Sequence, residues 1–159
     1  MKQLKIGKSE NGQSLFELIM AIGISALIIV GMVSLVNNSL QNSVFSKNQA
    51  SASQYAESAS EWLRGQRDNN ITTFISNATT APLSWCLIDP SLTDSSWNTH
   101  NACGATTITG TIFIREVDFA HTVVSGKDVY TATLTVKWTD SKGIHTVNNS
   151  TAFTDWRER

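Results

Sequence analysis

The sequence predicts an α+β protein, with one long N-terminal helix packed by its second half on a C-terminal three-stranded antiparallel sheet. Three observations predict this fold. One long run near the N-terminus is apolar and uncharged, no proline occurs before Pro82, and the last third of the chain alternates apolar with polar residues. The 159 residues suffice for one domain of ordinary size. The formal net charge of -1 gives no bulk positive field, which argues against nucleic acid as a partner.

The apolar run has the length of a membrane-spanning helix. The nineteen residues Leu18–Val36 carry no charge, and as a helix they span about 28 Å, close to the hydrocarbon core of a bilayer. Lys2, Lys5 and Lys8 precede the run, and such a basic segment keeps the N-terminus cytoplasmic. A cleaved secretory signal has a shorter apolar region that ends at a small-residue cleavage site. The length of this run therefore favours a retained membrane helix.

One carboxylate, Glu17, stands at the start of the apolar region. A charge at the edge of hydrocarbon is costly, which makes the residue a functional candidate by default. The alternative is a boundary residue that stays in water, and the position of Glu17 taken alone favours that alternative.

The residues Asn11–Leu18, NGQSLFEL, resemble the cleavage and methylation motif of type IV prepilins and type II secretion pseudopilins. The resemblance implies a basic leader, residues 1–12, that a prepilin peptidase removes after Gly12, with N-methylation of the new N-terminus at Gln13. It also implies that Glu17, the fifth mature residue, pairs with the Gln13 amine of a neighbouring subunit when both are buried. Major pilins usually have phenylalanine where this chain has Gln13, and this departure favours a minor pilin.

The resemblance implies a structural subunit of a type IV pilus or a type II secretion-like filament, and neither an enzyme nor a cofactor-binding protein. Such a subunit sits in the inner membrane with its C-terminal domain outside, then enters an extracellular pilus or a periplasmic pseudopilus. The implied partners are the prepilin peptidase, other pilin subunits, the inner-membrane assembly platform and the lipid bilayer. A hypothesis from another class is a filament-tip binding module for a surface, a sugar or DNA on the same anchor. Because the leader carries three lysines and one glutamate, its removal takes the net charge from -1 to -3, which favours DNA least.

The helix is predicted to continue past the membrane to Asp68. Residues 13–36 form its membrane and assembly half, and residues 37–68 its amphipathic half, in which apolar residues recur at three- and four-residue steps. Such a stripe packs on a sheet. Glu57 and Glu61, one turn apart, are interpreted as a solvated helix face in preference to a catalytic pair.

Residues 69–105 are predicted to form a long connection with at most a short helix or strand. Cys86 and Cys103, the only two cysteines, both lie there. In an exported domain such a pair predicts a disulfide. The alternative is a metal site that includes His100, but these three candidates fall short of the four ligands of structural zinc. The disulfide is therefore favoured.

The remaining aromatic and histidine side chains are given structural roles. Trp85 and Trp97, beside or inside the clamped loop, are expected to fill the core, with an exposed contact residue as the alternative. His121 and His145 fall near strand ends and are expected to be surface or hydrogen-bonded residues. An anchored enzyme would require these two histidines and His100 to converge on one site.

Residues 106–159 are predicted to form the sheet as a meander. Its strands are Thr111–Phe119, Val129–Trp138 and Ile144–Trp156, with turns at Ser125–Asp128 and Asp140–Gly143. The middle strand alternates most cleanly, which predicts one buried face and one exposed face. The residues of the predicted buried face are Tyr130, Ala132, Leu134, Val136 and Trp138.

Overall fold

The computed structural model describes residues 13–81, 83–93, 97 and 99–155. The predicted leader with Gly12, and the end of the last predicted strand at Trp156, lie outside the described residues. The chain divides into two compact units, Met1–Ser46 and Lys47–Arg159.

The first helix, α1, spans Gln13–Asn69 without interruption and contains 57 residues. It ends where Asn70 adopts an extended backbone, with φ -151° and ψ 92°. The side-chain oxygen of Asn70 accepts a hydrogen bond from the Thr73 N–H at 3.0 Å and so caps a second helix, α2, Ile71–Thr79. Asparagine thus ends one helix and starts the next, because its short side chain replaces a missing backbone acceptor.

In the part of the chain that the structure describes, the sheet has four antiparallel strands in the order β1-β2-β3-β4. They are β1 Ser84–Cys86, β2 Ile114–Val124, β3 Lys127–Asp140 and β4 Gly143–Thr154. The α+β layout agrees with the prediction, but the predicted count of three strands is wrong. The additional strand, β1, lies in the segment predicted to be a connection with at most a short helix or strand, which contains both α2 and β1. Three residues are too few to display an alternation.

The two hairpins set the register of the three long strands. Ser125 and Gly126 form a two-residue loop with φ of 53° and 78°, the left-handed backbone of a type I′ turn. The second loop lies between Asp140 and Gly143, which are partners in the ladder. Both hairpin loops lie within the predicted turns. The first of the predicted strands begins later than its predicted start at Thr111. Gly110, with φ 78°, takes part in a turn there, and β2 begins at Ile114.

The second unit has its own hydrophobic core. From α1 it receives the buried residues Ala52, Ala56, Ala59 and Leu63, and the small alanines allow the helix close to the sheet. All five residues predicted for the inward face of β3 are buried, at 6% exposure or less. Phe74 of α2 completes the core, with its ring centroid 5.0 Å from that of Phe153. Amphipathic packing of the second half of α1 on the sheet is therefore confirmed.

Candidate functional site

The described residues of the first unit form an apolar helix that buries almost nothing. Every large apolar side chain of α1 from Leu15 to Val44 is exposed, and Leu27 reaches 76%. This part of α1 is long and apolar enough to cross a membrane, and none of its most apolar window is buried. A core helix of a soluble protein meets the same length criterion but is mostly buried. The apolar half of α1 is therefore a candidate membrane span.

The residues of the predicted processing site surround the start of this helix. Gly12 lies outside the described residues, Gln13 begins α1, and Glu17 is exposed one helical turn later. No other charged residue occurs between Glu17 and Lys47. Glu17 is therefore the single charged residue of α1 before Lys47.

The predicted disulfide is present. Cys86 and Cys103 are bonded, with their Cα atoms 4.8 Å apart. Because both sulfurs are bonded to each other, neither is a free thiolate ligand for the alternative metal site. The Cys86 N–H also donates to the Thr99 carbonyl at 2.9 Å, so that the clamped loop lies beside β1. The clamp therefore fastens the connection to the edge of the sheet.

The tryptophans near the clamp fill the core, as expected. Trp85 is buried and its indole N–H donates to the Asn77 carbonyl at 3.1 Å. Trp97 is half-buried, lies with its ring centroid 5.0 Å from that of Trp85, and donates to Gln66 of α1 at 3.2 Å. These contacts join α1, α2 and the loop around one aromatic cluster.

The three histidines do not converge. The Nε2 atom of His100 lies 2.9 Å from the Thr80 carbonyl, that of His121 lies 2.7 Å from Asp128, and that of His145 lies 2.9 Å from Asp140. His121 is paired with the first part of β3 and His145 with its last part. Within the described part of the chain, no three His, Cys, Asp or Glu side chains are placed to hold a metal ion.

The residue that sequence reasoning missed is Arg115, which is only 1% exposed. Its Nη2 donates to the Asp89 carbonyl at 2.6 Å and its Nε to the Leu87 carbonyl at 3.3 Å. Burial lowers the pKa of its guanidinium to about 10. The alternation of β2 could have predicted that Arg115 is buried, because side chains two residues apart share one face of a strand. Arg115 lies on the same face as the buried Val117 and Phe119. Arg115 fixes the segment after β1 to the sheet.

A polar cleft of about 270 Å³ lies between α1 and β4. Its helix side consists of Ser53, Ala56 and Glu57, and its strand side of residues 147–150. Of the two glutamates interpreted as a solvated face, Glu61 pairs with Arg64 at 2.5 Å, whereas Glu57 borders the cleft. The cleft therefore brings the Glu57 side chain close to an edge strand.

A scan against protein-family models, a search of curated proteins and a search of solved structures each found no match for this chain. The residues that the structure describes form an α+β fold with one candidate membrane span and a disulfide-clamped second unit.

Proposed function

We propose that the chain is a filament subunit, a minor pilin or pseudopilin of a type IV pilus or type II secretion-like system. It is inserted in the inner membrane, cut after Gly12 by a prepilin peptidase and assembled through the first half of α1. The observation that supports the proposal best is the contrast within this helix, whose first half exposes every large apolar side chain while its second half packs on the sheet.

The charges support the same proposal. An apolar helix that leaves lipid for a helical bundle carries Glu17 into a place without water, where an unpaired carboxylate costs several kcal/mol. Cleavage after Gly12 creates a cation at the Gln13 amine, one turn away on the same helix. When helices stack along a filament, the amine of one subunit can meet Glu17 of the next. The pair favours one axial register, because any other register leaves both charges buried alone.

The first test is the N-terminus of the assembled protein. Filaments sheared from cells that carry only this copy of the subunit should contain it, and mass spectrometry should find a chain that begins at Gln13. An assembled chain that begins at Met1, or after Val36, would overturn the processing step. Replacement of Gly12 by a bulky residue should leave the precursor in the membrane.

The second test concerns Glu17. Because loss of one member of a buried ion pair costs about 3–5 kcal/mol, Glu17→Ala should reduce incorporation into filaments at least tenfold. The melting temperature of the second unit should not change. Glu61→Ala is the matched control, since it removes a carboxylate from the exposed face of the same helix. Normal incorporation of Glu17→Ala would show that Glu17 is a solvated boundary residue.

A further inference from the structure

The two edges of the sheet differ sharply. At one edge, β1 has three residues and the clamped loop bonds to it through Cys86 N–H and the Thr99 carbonyl. At the other edge, β4 has twelve residues, and no strand pairs with its outer side among the residues that the structure describes. One edge is therefore short and covered, and the other is long and open.

The open edge lacks the features that prevent strands from pairing with one another. Natural edge strands are protected by lysines, prolines, bulges or shortness. The sequence of β4, GIHTVNNSTAFT, contains no lysine, arginine, aspartate, glutamate or proline, and its pairing with β3 runs without a bulge from Gly143 to Thr154. Such an edge is a template for one more strand.

The ladder determines which groups β4 offers. The two-residue loop after β2 makes Val124 and Lys127 a hydrogen-bonded pair, so the odd-numbered residues of β3 bond to β2 and the even-numbered ones to β4. The partners of these even-numbered residues, such as Val147 and Asn149, are the odd-numbered residues of β4. The even-numbered residues of β4, including Asn148, therefore direct their N–H and C=O groups to the open edge.

The cleft lies beside this edge and supplies a charge. Glu57 borders it, next to residues 147–150, and makes no ion pair within the described part of the chain. Glu61, one turn further along α1, is already neutralised by Arg64. A strand added to β4 would point alternate side chains toward the helix side of the sheet. A cationic side chain there would meet the Glu57 carboxylate.

The geometry argues against a second copy of this chain as the added strand. The Ser60 hydroxyl lies 3.0 Å from that of Thr151, and the Arg67 guanidinium lies 5.6 Å from the Phe153 ring centroid. The second half of α1 therefore follows β4 in the same direction. Antiparallel pairing of two β4 edges requires a two-fold axis normal to the sheet, which reverses α1 in the second copy. The β4 strand of that second copy contains no lysine or arginine, so it offers Glu57 neither of these cations.

We propose that β4 binds an extended segment of a different polypeptide as a fifth strand, and that a lysine or arginine of this segment pairs with Glu57. Main-chain hydrogen bonds to the open edge supply affinity, and the cleft selects which side chain the bound segment carries there. This binding surface does not depend on the proposed filament role, since it belongs to the second unit alone.

Two nine-residue peptides of alternating threonine and valine, one with a central lysine and one with a central glutamate, test the proposal. Their binding to the full chain in detergent micelles is followed by fluorescence anisotropy. The lysine peptide should bind at least fivefold more tightly than the glutamate peptide. Glu57→Gln should remove this difference, whereas Glu61→Gln, the matched control, should retain it. Absence of binding of the lysine peptide up to about 1 mM, or equal binding of both peptides, would overturn the proposal.

Two further measurements separate strand addition from simple charge attraction. A lysine peptide with alternate N-methyl groups loses the donors of one edge and should lose binding. Asn148→Pro removes one outward N–H without removing a bond to β3, and should weaken binding at least fivefold. If this variant does not fold, the N-methylated peptide still decides the matter, and its undiminished binding would contradict strand addition.

Discussion

The two halves of α1 share one continuous helix but present opposite surfaces. From Leu15 to Val44 every large apolar side chain of the helix is exposed. After Lys47 its buried stripe consists mainly of alanine, closed by Leu63 and covered by the sheet. The comparison teaches that the same secondary structure serves two environments. The second half buries its apolar stripe against other parts of its own chain. The first half exposes apolar side chains that require an apolar environment from outside, either lipid or other helices.

The same substitution in the two halves tests this comparison most directly and should give the largest difference. Leu63 is fully buried, so Leu63→Ala should lower the free energy of unfolding of the second unit by about 2–5 kcal/mol. Leu27→Ala, at a 76% exposed site, should change it by less than about 0.5 kcal/mol. Chemical denaturation of the detergent-solubilised chain measures both. Equal losses would show that the apolar half also contributes to the folded core.

The disulfide should be the next largest contribution to the second unit. A loop of this length is expected to contribute about 3 kcal/mol through the entropy of the unfolded chain. Cys86→Ser with Cys103→Ser should therefore lower the free energy of unfolding by about that amount. The apolar half should be unaffected, so the variant should remain in the membrane fraction.

A reductant supplies the control for the disulfide prediction. It should lower the melting temperature of the native chain and leave that of the double variant unchanged. If the native chain melts at the same temperature with and without reductant, the clamp does not stabilise the unit.

The smallest expected effect lies in the second hairpin. A hydrogen bond from His145 and another from the Lys142 N–H lower the pKa of Asp140 below its usual 3.8. A lowered pKa in the folded state adds stability that is present above pH 4 and is lost as the pH falls through the folded value. Between pH 5 and about pH 2, the melting temperature of Asp140→Asn should therefore fall less steeply than that of the native chain. NMR titration of Asp140 in His145→Gln should show its pKa returning toward the usual value, and an unchanged pKa would contradict this cause.

Local patterns predicted the long elements well. The absence of proline, the uncharged apolar run and the three- and four-residue periodicity after it predicted α1, and the alternation of β3 predicted its buried face residue by residue. Glu17 was identified because a charge in an apolar run is visible from sequence alone. The processing at Gly12 and Gln13 and the role of Glu17 in assembly stay predictions, since they concern other molecules.

The sequence by itself determined the features that depend on periodicity and composition: the exposed apolar half-helix, the alternating strands and the pair of cysteines. Only the tertiary structure decided which segments meet. The three residues of β1 become a strand because residues 116–118 lie beside them, and Arg115 becomes buried because the carbonyls of Leu87 and Asp89 satisfy its guanidinium. The open edge of β4 and the cleft at Glu57 likewise exist only once strand order is fixed. The physical reason is the distance along the chain over which each effect acts. Hydrophobic periodicity acts within one element, whereas pairing at a sheet edge and burial of a charge depend on residues distant in the chain.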